Sequence, residues 1–407
     1  MASTSASEFG INNIPYGIAS SSTRTKPQCV TRIADDVIFL AELAAKGNFG
    51  ETGVDLASIF LEPVLNSFAA LPKAVQSKVR TTIQSAYEKK ALGDSTENIQ
   101  AVKLHLPLNV GDFTDFSASA NHVQNAAEAI LGTRSFPPAF HKYPPAYAGR
   151  CSSLFLSGTP VHRPYGQFIE NYAAAEKNII FGPSKGLDYE LEIGAVIGKP
   201  LEAGTRLLTK DADQHMFGLL LVNDWSARDI QALEMKPLGP FNGKSFTTTL
   251  SPWIITLEAL KAYETPAPPR MAPLAKFMDD PQAVNYNINL EVELVRGGVS
   301  SVICKVGFET MYWTFRHMLA HSTINGCPLR TGDLIAGGTV SGQRDEEHGC
   351  LLELTMNGRK PWKLSDGKEL RYLEDGDVVR FTGMVGDKDS GIGFGECVGE
   401  VLPAKQF

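Results

Sequence analysis

Residues 216–235 read MFGLLLVNDWSARDIQALEM. Met216 to Val222 is an almost continuous apolar run that predicts a strand. The run stops at Asn223-Asp224, and a helix is expected over Trp225–Met235. A carboxylate at a strand end is well placed to serve a site. Arg228 and Gln231 are three apart on the expected helix and Asp224 lies four before Arg228, so an acid, a cation and an amide address one side. The alternative is Asp224 as the helix N-cap with a surface pair to Arg228. Lys244, in GPFNGKSF (239–246), supplies a further donor.

Upstream, residues 187–198 read LDYELEIGAVIG. Residues two apart on a strand share a face, so Glu190 and Glu192 converge. Either a cation such as Ca2+ or Mg2+ lies between them or the face is solvated. Further upstream, GDFTDFSASANH (111–122) carries Asp115 and His122 in a segment of small and polar residues, read as a loop that presents side chains to a cleft. A histidine takes a proton near neutrality when a second group holds its tautomer.

The same texture extends through the downstream chain. Strand-like runs occur at 189–197, 217–222, 253–256, 286–294, 351–356 and 378–385, separated by turn residues, with a second helix expected over Met311–His321 and a Pro-rich loop over Glu264–Ala272. Nearer the N-terminus, short strands are expected at Ile11–Ile18 and Cys29–Leu43. Helices are expected between Val54 and Leu92, broken at Pro63 and Pro72. The texture changes near residue 105, which divides the chain into 1–104 and 105–407. The fold class is mostly β with some α.

Composition narrows the function. With 407 residues the chain spans two or three domains at about 100 to 200 residues each, and 43% hydrophobic residues suffice for packed cores, which excludes disorder as the dominant state. A net charge of −7 argues against nucleic acid as a partner. Six scattered cysteines with no Cys-x-x-Cys pair fit a reducing compartment, and no apolar segment approaches the roughly 20 residues a bilayer demands, so a soluble cytoplasmic protein is expected. His317 and His321 lack a third ligand and are read as packing residues. Gly391–Gly395 precedes a strand-like segment and is read as a turn, and the cysteines are read as packed thiols.

Taken together, GDFTDFSASANH (111–122), YAGRCSSLFLSGTPVHRPYGQ (147–167), LDYELEIGAVIG (187–198), GLLLVNDWSARDIQ (218–231), PLGPFNGKSF (237–246) and INGCPLRTGDLIAGGTVSG (324–342) resemble the fumarylacetoacetase family, from about Phe9 to the C-terminus. The resemblance implies a small SH3-like N-terminal barrel, a larger catalytic domain with a mixed β-roll, and a homodimer. It implies hydrolysis of a carbon–carbon bond in a 1,3-diketone acid, fumarylacetoacetate to fumarate and acetoacetate, at the end of tyrosine and phenylalanine catabolism. Asp115, Glu190, Glu192 and Asp224 match the ligands of a divalent metal, Ca2+ or Mg2+, and Lys244, Thr248 and Asp224 match a second cation position. His122 matches the catalytic base and Glu353 its orienting partner. Arg228, Gln231 and Lys244 match the oxyanion donors, and Tyr147 and Thr339 match substrate contacts.

Three positions depart from the family pattern: Ser117 and Met235 stand where the family has Tyr, and Leu131 where it has Arg, with Arg134 nearby but shifted. That combination is retained chemistry on an altered substrate pocket. The alternative activity is decarboxylation, isomerisation or cyclisation of a β-dicarbonyl in secondary metabolism.

Overall fold

The structure, a computed structural model, describes residues 6–172 and 174–406. Its centre is an eight-stranded sheet. The strand Met216–Asp224 lies between Leu191–Ile197 and Thr248–Leu250, with Ile255–Thr256 also pairing to it. Beyond Leu191–Ile197 follow Leu334–Ala336, Phe113–Phe116 and Ala146–Ala148, and Leu154–Leu156 closes the other edge.

Both faces of this sheet are covered, which is why its two middle strands read as nearly continuous apolar runs. Ile193, Ala195, Leu219 and Leu221 pack into a core shared with Leu290, Val292, Phe381 and Phe394. Those last four come from a five-stranded sheet ordered Val299–Gly307, Ile288–Arg296, Val378–Val385, Gly393–Leu402 and Val161–His162. The alternate residues Val196, Leu220, Val222 and Leu334 pack with Tyr16, Phe60, Phe68 and Ile83 of the N-terminal region.

That region is a five-stranded antiparallel sheet, ordered Thr96–Asn98, Asp36–Phe39, Gln28–Ile33, Tyr16–Ser21 and Val102–His105. The helices Leu56–Phe60, Asn66–Ala69 and Lys73–Glu88 carry Phe60, Phe68, Val79 and Ile83 into the shared core. A backbone bridge from Tyr16 to Ile254 joins it to the central sheet. The chain is thus mostly β with some α, a small N-terminal β unit on a larger β catalytic region. No helix among the described residues is long and apolar enough to cross a membrane.

Several local expectations change. Cys29–Leu43 is two strands and the start of a helix, Leu40–Ala45. Residues 264–266 form a short strand with Val284–Tyr286 rather than a loop throughout. The expected helix at Met311 begins at Phe315, and that at Trp225 begins only at Arg228 because Ser226–Ala227 first pairs with Leu187–Asp188. Asp224 is therefore the last residue of a strand and caps no helix. Residues 351–356 contain a helix, Leu351–Leu354, instead of a strand; a short run buried on every side, Glu353 included, carries no periodicity that separates the two. The segment around His122 is no loop either. Ser119 caps the helix Ala120–Leu131, its Oγ accepting from the His122 amide at 3.1 Å, so His122 sits in the first turn.

Candidate active site

The sheet register builds the site. Glu192 pairs with Val222, Asp224 with Thr248, and Asp115 with both Ala336 and Tyr147. By the two-residue repeat, Glu192, Asp224 and Asp115 share the face that carries Val196, Val222 and Phe113 into the N-terminal core. One end of an otherwise apolar face is thus acidic. Glu190 lies just before its strand, its carbonyl accepting from the Asp224 amide at 3.3 Å, and it is not the strand neighbour of Glu192 that an unbroken strand implies. Asp115, Glu190, Glu192 and Asp224 each offer an oxygen, all within 4.8 Å of one another, and all four are buried.

Their partners divide them into two pairs. Glu190 is bracketed by Arg228, at 2.8 Å from Nη1, and by Lys244. Burial opposes its charge, but Lys244 and Arg228 overcome that and hold its carboxyl down at about 2. Asp224 accepts from Lys244 Nζ at 2.5 Å, Tyr147 OH at 2.6 Å and Thr248 Oγ1 at 3.1 Å. By contrast, Asp115 Oδ1 and both oxygens of Glu192 have no hydrogen-bond partner among the described residues. Burial first, then the Asp224 charge, pushes Asp115 well above the usual carboxylate range; burial, then Asp115 and Glu190, does the same to Glu192.

Orphaned buried carboxylate oxygens converging on one point are the donor set of a hard divalent cation, so the residues present fit such an ion. Lys244 does not fit as a ligand. Burial disfavours its charge, but Asp224 and Glu190 outweigh that and raise its pKa, and an ammonium has no lone pair to give. The second-cation position expected at Lys244, Thr248 and Asp224 therefore holds an ammonium and a hydroxyl that both donate to Asp224.

The second group is the His122–Glu353 pair. His122 Nδ1 donates to Glu353 Oε1 at 2.7 Å, which leaves Nε2 as the basic nitrogen. Burial disfavours the imidazolium, yet Glu353 raises the His122 pKa on balance. Glu353 is held by three groups that sequence reasoning missed: Ser341 Oγ at 2.7 Å and Cys350 Sγ at 3.2 Å on Oε1, and Asn125 Nδ2 at 2.8 Å on Oε2. Asn125 was within reach, since it follows His122 by three on a helix. Ser341 and Cys350 give no local signal.

Arg228 takes a different partner from the one expected. Instead of a helical pair with Asp224, its Nε donates to Asp188 at 2.7 Å and its Nη1 to Gln231 Oε1 at 3.2 Å, while Nη2 is buried without a partner among the described residues. Thr339 Oγ1 is likewise buried and unpartnered. It follows Gly338, where φ is +79° and an added Cβ would lie 1.9 Å from the Phe116 carbonyl. A cavity of about 300 Å3 adjoins Asp224, lined among others by Tyr147, Arg150, Phe241, Lys244 and Thr248. Ser117 is partly buried beside the strand of Asp115. Leu131 and Met235 are 69% and 49% exposed, and Arg134 pairs with Glu128 at 3.2 Å. Among the described residues, no hydrogen bond or ion pair joins these three side chains to the acids.

Two family descriptions match the chain, "Fumarylacetoacetase N-terminal" over residues 12–107 and "Fumarylacetoacetate (FAA) hydrolase C-terminal" over 112–402. The chain is 42% identical to the fumarylacetoacetase of Arabidopsis thaliana over 412 residues, which is 98% of this chain and 97% of that one. It is 41% identical to that of Aspergillus fumigatus over 421 residues, 98% and 96% of the two. Among solved structures, a fumarylacetoacetate hydrolase from Exiguobacterium antarcticum shares the fold, with a TM-score of 0.53 at 17% identity over 96% of this chain and all of that one.

Proposed function

The chain belongs to the fumarylacetoacetase family, and on that premise we propose that it hydrolyses a carbon–carbon bond of a 1,3-diketone acid, fumarylacetoacetate to fumarate and acetoacetate. The observation that carries the reading is the His122–Glu353 pair at 2.7 Å in a fold that also gathers four carboxylates within 4.8 Å.

Asp115, Glu190, Glu192 and Asp224 would hold a divalent ion, Mg2+ or Ca2+, which supplies Lewis acidity to the diketone oxygens when bound. His122 Nε2 takes a proton from water, and the hydroxide so formed attacks the carbonyl carbon. Glu353 stabilises the imidazolium through Nδ1. The oxyanion that develops is met by the free Nη2 of Arg228, by the N–H of Lys244 not given to Glu190 or Asp224, and by the amide nitrogen of Gln231, whose oxygen already serves Arg228. These donors are in place before the charge appears, which is what makes them effective. As the carbon–carbon bond breaks, the imidazolium of His122 returns the proton to the departing carbanion. Tyr147, held by Asp224, and Thr339, with its free hydroxyl, contact the substrate.

The same reading treats 1–104 and 105–407 as two domains, the protein as a cytoplasmic homodimer, and the pathway as tyrosine and phenylalanine catabolism. The test is to incubate the purified protein and a divalent metal with fumarylacetoacetate and simpler 1,3-diketones. Two acids per turnover are expected, and an intact carbon chain or released CO2 would overturn hydrolysis. Decarboxylation, isomerisation or cyclisation of a β-dicarbonyl is the second reading. It rests on the departures of Ser117, Leu131 and Met235 from the family pattern, and an intact carbon chain or released CO2 in the same assay would support it.

A further inference from the structure

We infer that Asp188 is a positioning residue of the active site, one buried carboxylate that sets both the guanidinium of Arg228 and the helix from which Glu353 orients His122. Asp188 is fully buried on the two-residue strand Leu187–Asp188, opposite Ser226. Its Oδ1 accepts from the amides of Leu351 at 2.7 Å and Tyr189 at 2.8 Å. Its Oδ2 accepts from the amide of Leu352 at 2.9 Å and from Arg228 Nε at 2.7 Å.

Two of those bonds belong to the start of Leu351–Leu354, a helix whose own N-terminal residue, Cys350, caps none of its first amides, its thiol donating instead to Glu353. The first amides of any helix lack internal partners. In a helix of four residues, those amides are a large part of what determines where its backbone lies. Asp188 supplies the missing acceptor from a distant strand, and Glu353 is the third residue of the helix it anchors. The bond to Nε acts on the other arm. It fixes the plane of the guanidinium so that Nη1 reaches Glu190 and Gln231 while Nη2 stays free. Base and oxyanion donor are thereby registered against a single group.

All four partners of Asp188 are donors, which makes an isosteric test unusually sharp. Whichever way the amide of Asp188→Asn turns, its NH2 faces two N–H groups, so either Tyr189 and Leu351 or Leu352 and Arg228 lose their acceptor. Asp188→Ala strips all four.

The catalytic half of the inference rests on the hydrolytic reading above, so the experiment has one arm that needs no substrate. In Asp188→Asn we expect kcat to fall at least tenfold with KM within about threefold and with Mg2+ affinity of the protein near wild type, because the four metal acids keep their places. The downfield proton resonance of His122 Nδ1, assigned by its absence in His122→Ala, should shift or broaden in Asp188→Asn. If Asp188→Ala folds, both effects should be larger; if it does not, Asp188→Asn carries the test. A lowered melting temperature with wild-type kcat and an unmoved His122 resonance would overturn the inference, leaving Asp188 a structural cap. If the wild-type protein fails to cleave 1,3-diketones, the proposed reaction falls, and the resonance alone decides whether Asp188 positions the dyad.

Discussion

Replacing Glu192 by Gln should reverse the stability order of two proteins according to whether metal is present. Glu192 is fully buried, both its oxygens lack partners among the described residues, and it faces Asp115, Glu190 and Asp224. Against these four carboxyls stand Lys244 and Arg228, and Arg228 is shared with Asp188, so without an ion the excess negative charge is relieved only by protonation, which is why Asp115 and Glu192 are pushed above the usual carboxylate range. A group of that charge stabilises the fold only when a cation occupies it. At a free metal concentration of 100 times Kd, binding to the native state alone adds about 2.7 kcal/mol. At about 2–4 °C per kcal/mol for a large domain, the wild-type protein should gain about 5–10 °C in melting temperature on addition of Mg2+ or Ca2+ after chelation. Glu192→Gln retains an oxygen but loses the charge. If its Kd rises tenfold, the gain at the same metal concentration drops to about 1.4 kcal/mol. The chelated variant, which no longer buries a carboxyl that must either repel its neighbours or take up a proton, should melt above the chelated wild type; the loaded variant should melt below the loaded wild type. Thermal melts across a metal titration, with calorimetric Kd values for both proteins, measure each quantity. A wild-type melting temperature that ignores saturating divalent metal, or a variant that gains as much as the wild type, would refute the assignment of these acids.

Four other outcomes are expected. His122→Ala should lose about a hundredfold to ten-thousandfold in kcat while its metal-induced rise in melting temperature is kept. The base works as neutral imidazole and Glu353 raises its pKa, so turnover should climb as pH rises through that elevated value; Glu353→Gln should move the climb to lower pH and lower the plateau, and a pH–rate profile with an unmoved limb would count against the dyad. Lys244→Met leaves the buried carboxylates of Glu190 and Asp224 without their shared cation and should cost about 3–5 kcal/mol in denaturant unfolding of the chelated protein. Because Leu131 and Met235 are exposed, combining Ser117→Tyr, Leu131→Arg and Met235→Tyr should leave kcat/KM on fumarylacetoacetate within about threefold, and a tenfold rise would show that these positions reach the acid end of the substrate.

Much of the site was legible in the chain because several of its residues carry local signals. Met216–Val222 reads as a strand from its apolar run and Asp224 as an acid at its end, whereas Gly391–Gly395, read as a turn, is strand from Gly393 onward. The assignment of His122, Glu353 and the four acids to one centre came from the resemblance of long motifs and not from spacing. Where local pattern alone was read, it failed at short buried segments. Residues 351–354, Leu-Leu-Glu-Leu, are buried on every side, Glu353 included, so periodicity had nothing to separate.

The amino-acid sequence by itself determined the composition class, the β-rich texture and which side chains are chemically able to bind a metal or move a proton, since those depend on residue type and on neighbours a few positions away. Which of those side chains meet was decided only by the tertiary structure. Asp115, Glu192 and Asp224 converge because three strands distant in the chain align in register at one end of a sheet face whose remainder is locked into the N-terminal core. The same holds for Arg228, which in an isolated helix would have had Asp224 four residues away. The strand Ser226–Ala227 pairs with Leu187–Asp188 before the helix begins, and so hands the guanidinium to Asp188 and Glu190. A buried charge takes the partner that packing presents to it at hydrogen-bond distance, and that partner lies 40 residues away in the chain.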